Sequence, residues 1–197
     1  MGLSQGSLLA RYIVESCPIA GHVRNYLSIG GPNMGVTDVP ECQSGAICEY
    51  VNYVARNLVY FKLIQNYLGP AGYFRDPTHM DSYLTDSVFL PYLNNESGDD
   101  ATKAAVKARF SALNAAMLVM FTEDSVVYPK ESEWFQQLNL DLVTVEALED
   151  STFYKEDFIG LRSLIEAGKV ELVSIVGDHL EFSAEDIDNS FVPFLLK

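Results

Sequence analysis

Ser4 lies between two glycines in Gly2-Leu3-Ser4-Gln5-Gly6, a G-x-S-x-G string. In a nucleophile elbow that spacing holds a serine hydroxyl on a sharp strand-to-helix turn, and glycines let the backbone turn so tightly. A serine is a weak nucleophile near neutral pH. It needs an imidazole to take its proton and a carboxylate to fix that imidazole in the useful tautomer. Candidate partners follow two apolar runs: Ala115–Phe121 leads into Thr122-Glu123-Asp124-Ser125, and Val170–Val176 into Gly177-Asp178-His179. Ser4, Asp124 and His179 together could carry acyl transfer through an acyl-serine. Glu123 and Asp178 are alternative acids, and His179 also reads as a hydrogen-bonded core histidine. His22 precedes a short apolar run and His79 lies in a loop-rich stretch, so neither is well placed.

The elements that must position these residues can be read from hydrophobic spacing. Leu8, Leu9, Tyr12 and Ile13 recur at helical intervals, which predicts a helix from Gly6 to about Ser16 closed at Cys17-Pro18. Only Met1-Gly2-Leu3 come before the serine, so the strand that leads into an elbow is expected to be missing. Tyr26–Ile29 reads as a buried strand stopped by Gly30-Gly31-Pro32. A helix is predicted over Tyr50–Leu68, with Val51, Val54, Leu58, Phe61, Ile64 and Leu68 on one face. Residues 69–100 read as loops and short helices, and a further helix runs from about Ala101 to Leu113. Ala115–Phe121 is continuously apolar, as a fully buried strand is. Ser183 and Asp186 form a capping box for a last helix whose Ile187, Phe191, Phe194 and Leu195 face the core. Buried strands alternating with helices indicate an α/β sheet, which places chemistry at the carboxyl ends of its strands.

Composition narrows the function. The 197 residues suit one domain, and 48% hydrophobic content excludes a disordered chain. A net charge of -14 with no basic cluster argues against nucleic acid and against an anionic membrane surface. No apolar run is long enough for a transmembrane segment, and no signal peptide is visible. Cys42 and Cys48 are spaced for a small disulfide loop or are two free thiols, with Cys17 left over. Asn95-Glu96-Ser97 is a glycosylation sequon.

Several strings together resemble the palmitoyl-protein thioesterase family. They are Gly2–Ser7, Gly30-Gly31-Pro32, Pro40-Glu41-Cys42 through Cys48, Phe89–Glu96, Asp124–Val127, Ser132-Glu133-Trp134-Phe135, Tyr154–Leu161 and Gly177–Leu180. They fall in the family's order along nearly the whole chain. Ser, Asp, His is also the α/β-hydrolase order. The resemblance implies the C-terminal portion of an α/β-hydrolase fold. Residues 1–197 form a single partial domain, with a helical insert at about 36–110 as the acyl-binding cap. It implies a lysosomal or vacuolar hydrolase that removes long-chain acyl groups from S-acylated proteins, needs no cofactor or metal, and is monomeric at full length. By match, Ser4 is the nucleophile, Asp124 the orienting acid and His179 the base, with the Gln5 N–H as one oxyanion donor. Cys42 pairs with Cys48, and the partner of Cys17 lies upstream. Asn33 stands where the family usually carries a histidine.

The insert's Tyr50, Tyr53, Leu58, Tyr60, Phe61, Tyr67, Tyr73 and Phe74 are the expected walls of an acyl groove. The family's leading strand and second oxyanion donor fall before Met1, so residues 1–197 alone are expected to be poorly stable and weakly active. A related lipid ester hydrolase and a non-catalytic lipid-binding isoform are the other classes compatible with these residues.

Overall fold

A computed structural model of the chain describes residues 1–17, 22–40, 42 and 45–197. Among them, β1 (Gly2–Leu3), β2 (Asn25–Ile29), β3 (Ala115–Phe121) and β6 (Val170–Ile175) form one parallel sheet in the order β1-β2-β3-β6. A small antiparallel ribbon pairs β4 (Gln137–Leu138) with β5 (Val145–Glu146). The strand ahead of Ser4, expected to be missing, is present in minimal form: Gly2 and Leu3 pair with Ser28 and Ile29. Two residues suffice because the Ser4 N–H continues the ladder to the Ile29 carbonyl at 2.8 Å.

Strand β3 is buried along its whole length, which is why its sequence shows no alternation. Its two faces belong to separate cores. Tyr26, Ala116 and Leu118 pack with Val14 of α1 (Gln5–Ser16), with Val106 and Phe110 of α6 (Asp100–Ser111), and with Leu161 and Leu164 of α8 (Leu161–Glu166). Leu27, Ile29, Met117, Val119 and Phe121 meet Phe191 and Phe194 of the C-terminal segment. That segment runs through α9 (Ala184–Asp186), a π-helical turn (Ile187–Phe191) and α10 (Val192–Leu195), opened by the Ser183–Asp186 capping box. Ile187 and Leu195, expected in the core, are exposed, because the π turn rotates the helix face. Strand β6 ends the sheet among the described residues, so Leu172 reaches solvent.

A third core lies between the sheet and the cap. Val36, Tyr60, Ala71, Phe74, Tyr83, Leu90 and Leu93 pack there around Leu8 and Val127. The cap carries α2 (Ala46–Leu58), α3 (Lys62–Tyr67), α4 (Met80–Asp86) and α5 (Leu90–Leu93). The single helix read over 50–68 is therefore two. The Gln65 amide donates to the Val59 and Ala71 carbonyls, both at 2.8 Å, and so satisfies a helix end where no local residue can. Because α6 packs on the sheet, the third core draws its insert residues from before Asp100. The short helix α7 (Thr152–Lys155) joins the first core through Phe153. Pro18, read as closing α1, and Glu41 of the cysteine loop lie outside the described residues.

Arg11 ties these layers together from a fully buried position on α1. Its guanidinium donates to the Asn33 carbonyl at 3.1 Å and to the Asn94 side-chain oxygen, and lies 3.0 Å from Glu15. No helix among the described residues is long and apolar enough to cross a membrane.

Candidate active site

Ser4 closes β1 and caps α1 with φ at 49°, the left-handed geometry that a non-glycine residue rarely adopts. Gly2 makes this turn possible, since a Cβ there would sit 2.4 Å from the Gly6 carbonyl oxygen and the Ser7 Cα. The second glycine of the string has open space around it, so Gly6 is not sterically required. The second close approach is at Gly31, where a Cβ would lie 2.4 Å from the Ser28 and Ser7 side chains. Gln5 is the first residue of α1, so its N–H belongs to the turn that has no intrahelical partner.

Three strand ends converge on this elbow. His179 Nε2 lies 2.9 Å from Ser4 Oγ, and His179 Nδ1 lies 2.5 Å from Asp124 Oδ2. The other Asp124 oxygen accepts from the Val126 and Val127 N–H groups at 2.8 and 2.7 Å. Burial opposes the charge on Asp124, but hydrogen bonds from His179, Glu133 and Val127 overcome it and hold the carboxyl below its ordinary value. An ionised Asp124 only accepts, so Nδ1 carries the proton and Nε2 is free to accept from the Ser4 hydroxyl.

The alternative acids sit elsewhere. Glu123 is exposed, and its N–H bonds the Gly177 carbonyl at 3.0 Å. Asp178 accepts from Ser125 N–H and Oγ and from the His179 N–H at 2.7–2.9 Å. It fixes the loop that carries His179 rather than the ring. His79 bonds Asp76 at 2.8 Å within the cap, and His22 is exposed.

Glu133 is the neighbour that sequence reasoning gave no role. It is fully buried, accepts from the Phe121 N–H at 3.1 Å, and clusters with Asp124 and His179 so that one ligand atom of each lies within 4.8 Å of the others. Burial, a hydrogen bond shared with Asp124 and that residue's charge push its carboxyl up to about 10. Nothing in the spacing of Ser132-Glu133-Trp134-Phe135 separates it from a surface glutamate.

An apolar cavity of about 410 Å³ opens beside Ser4, which forms part of its wall. Val54, Ala55 and Leu58 of α2, Ile64 and Leu68 around α3, and Val126 and Val127 line it. Of the expected groove residues, Leu58, Tyr73 and Phe74 line it. Tyr50, Tyr53, Phe61 and Tyr67 project into solvent. Tyr60 is buried as a hydrogen-bonding strut, accepting from the Asp76 N–H at 3.1 Å.

The remaining expectations divide. Cys42 and Cys48 form a disulfide, and Cys17 is free. Asn33 is fully buried and satisfied: its amide donates to Ser28 Oγ and the Glu133 carbonyl, and its oxygen accepts from the Tyr26 hydroxyl. Asn95, the asparagine of the sequon, is buried against α6. Asn95 is 5% exposed, and its amide nitrogen donates to the Lys103 and Phe158 carbonyls at 2.9 and 2.6 Å. In this fold the nitrogen that a glycan would occupy is engaged.

A sequence model of the palmitoyl protein thioesterase family matches residues 1–179. The chain belongs to that family. The parallel sheet with helices on both faces is accordingly a partial α/β-hydrolase-like fold. Among its relatives is "Palmitoyl-protein thioesterase 1" of Caenorhabditis elegans, 31% identical over 194 residues, 98% of this chain and 64% of that protein. "Palmitoyl-protein thioesterase 3" of Dictyostelium discoideum is 34% identical over 187 residues, 94% of this chain and 62% of that protein. "Lysosomal thioesterase PPT2-B" of Xenopus laevis is 30% identical over 174 residues, 88% and 59% of the two chains. The chain thus spans less than two thirds of these relatives' own length.

Proposed function

We propose that the chain hydrolyses long-chain acyl thioesters, with S-acylated cysteines of proteins as the substrate class. The observation that carries this reading is the position of Ser4: its hydroxyl meets His179 and lines an apolar cavity. An acyl chain in that cavity would leave its carbonyl carbon at the serine. The cavity's size falls within the roughly 300–1,000 Å³ typical of small-molecule sites. The names of relatives support a thioesterase and a lysosomal setting. The same reading takes residues 1–197 as one partial domain and the α2–α5 region as its cap.

Ser4 Oγ attacks the thioester carbonyl while its proton passes to His179 Nε2, and Asp124 stabilises the resulting imidazolium. The oxyanion receives the Gln5 N–H at the start of α1. Collapse breaks the carbon–sulfur bond, and the departing thiolate takes the proton from His179. A cysteine thiol has a pKa of about 8.5, so it leaves more readily than an amine. Water then gives its proton to His179 and attacks the acyl-serine, releasing the fatty acid and restoring Ser4.

Labelling of the chain by a fluorophosphonate, with hydrolysis of a palmitoyl thioester against its matched oxygen ester, tests this directly. Labelling that Ser4→Ala abolishes, with faster thioester turnover, is the expected result. Equal turnover of the oxygen ester favours a general lipid esterase. Acyl-chain binding without labelling, unchanged in Ser4→Ala, would mean a non-catalytic binder.

A further inference from the structure

Glu133 is a buried carboxyl beside the proposed triad, and the acyl-transfer steps give it no task. It sits on the 3-10 turn Lys130–Trp134, which is anchored from several directions. The Asn33 amide donates to the Glu133 carbonyl at 3.0 Å, Ser132 Oγ donates to the Gly35 carbonyl at 2.6 Å, and Trp134 Nε1 donates to the Leu118 carbonyl at 3.1 Å. The side chain is therefore aimed rather than free. One oxygen accepts from the Phe121 N–H at 3.1 Å, while the buried Oε1 meets no donor among the described residues.

What lies nearby is the Asp124 carboxylate. Two carboxylate oxygens repel, and a hydrogen bond between them exists only when one acid keeps its proton. The geometry decides which one. Asp124 already receives hydrogen bonds from His179, Val126 N–H and Val127 N–H, all of which favour its charge, whereas Glu133 receives one. Both nitrogens of His179 are engaged, by Asp124 and Ser4, so the cluster is closed by protons rather than by a cation.

Resting on the hydrolase reading above, we propose that Glu133 is a positioning residue: as a neutral acid it donates a hydrogen bond to the Asp124 carboxylate and fixes it against His179. The charged or titratable groups facing it are Asp124 and His179 across the cluster and Glu131 on its own turn. Its carboxyl, raised to about 10, stays protonated through the neutral range.

The test compares Glu133→Leu with Glu133→Gln, alone and in an Asp124→Asn background, reading the Ser4-dependent fluorophosphonate rate and kcat on a palmitoyl thioester. Leucine removes the donor. Glutamine keeps it, since its amide can donate to Asp124 while its oxygen accepts from the Phe121 N–H. Glu133→Leu is expected to lower kcat about tenfold to a hundredfold with little change in KM, the scale of one charged hydrogen bond. Glu133→Gln restores the rate to within about threefold, and Glu133→Leu costs nothing further once Asp124 is asparagine. A full additional loss in that background overturns the proposal. If the leucine variant does not fold, the glutamine variant decides alone, and a folded Glu133→Gln slowed more than tenfold overturns it. If the wild-type chain shows no Ser4-dependent labelling, the hydrolase reading fails separately. The Asp124–Glu133 pairing is then read from melting temperatures: losses from Asp124→Asn and Glu133→Leu that together are smaller than their sum support it, and additive losses overturn it.

Discussion

At the scale of single residues, the buried amides of Asn33, Gln65 and Asn95 are each committed to specific partners. Asn95 shows how that changes a sequence reading. The sequon is a pattern of residue types, but the amide nitrogen holds the backbone of α6 and of the 157–160 turn together. Asn95→Ala is expected to remove both hydrogen bonds and to destabilise the chain by about 1–3 kcal/mol, readable in urea unfolding. The intact mass of protein secreted from a glycosylating host is expected to show no glycan at Asn95. An unfolding curve unmoved by the substitution, or a glycan at that site, would refute this account. The residues of the proposed triad were legible in the sequence because each directly follows an apolar run or a turn signal. Glu133 was not, because its meaning lies in a carboxylate nine positions away along the chain and in the Asn33 amide, far from it in sequence.

Elements extend the same lesson. Strands β2 and β3 were legible to within a residue, since a buried parallel strand must be apolar on both faces. The break between α2 and α3 was not, because the Gln65 contacts to Val59 and Ala71 found there are not encoded in hydrophobic spacing. The elbow makes a sharper contrast between its two glycines. Gly2→Ala puts a methyl into the α1 backbone and is expected to destabilise by about 1–3 kcal/mol and to disturb Ser4. Gly6→Ala meets open space on the first turn of α1 and is expected to be neutral or to stabilise by roughly 0.5–1 kcal/mol. Chemical denaturation of both variants checks this, and equal losses would show that the motif is not read as argued. The cap yields a further prediction. Ala55 lines the apolar cavity from α2, so Ala55→Phe shortens the space available to an acyl chain. Palmitoyl turnover is expected to fall about tenfold or more while short-chain thioesters are hydrolysed as before, which a chain-length series of acyl thioesters would read out. A uniform loss across all lengths would place the acyl chain elsewhere.

Across the whole molecule, acids dominate, with a net charge of -14 and a sequence pI near 4.4. Two buried ones bind protons more tightly in the fold than in the unfolded chain. Burial raises Glu15 to about 8 against the pull of Arg11, and burial beside Asp124 raises Glu133 to about 10. For such groups stability is fully present below the unfolded value of about 4.5 and declines as pH rises through the folded values. Asp124 and Asp157 run the other way: their carboxyls are held low, so their stabilising contribution is present above about 3.8 and lost on further acidification. Between these limits lies a stability maximum on the acid side of neutral, reinforced because protonation also relieves the repulsion of the negative surface. Thermal unfolding of dilute chain is therefore expected to show a melting temperature several degrees higher at about pH 5 than at pH 8, at roughly 2–4 °C for each kcal/mol, with a steep fall below about pH 3.5. Glu133→Gln flattens the alkaline slope, since an amide has no proton to lose. A wild-type chain more stable at pH 8 than at pH 5 would mean that Glu15 and Glu133 are ionised in the fold, and that no proton lies between Glu133 and Asp124 to hold the Asp124 carboxylate against His179.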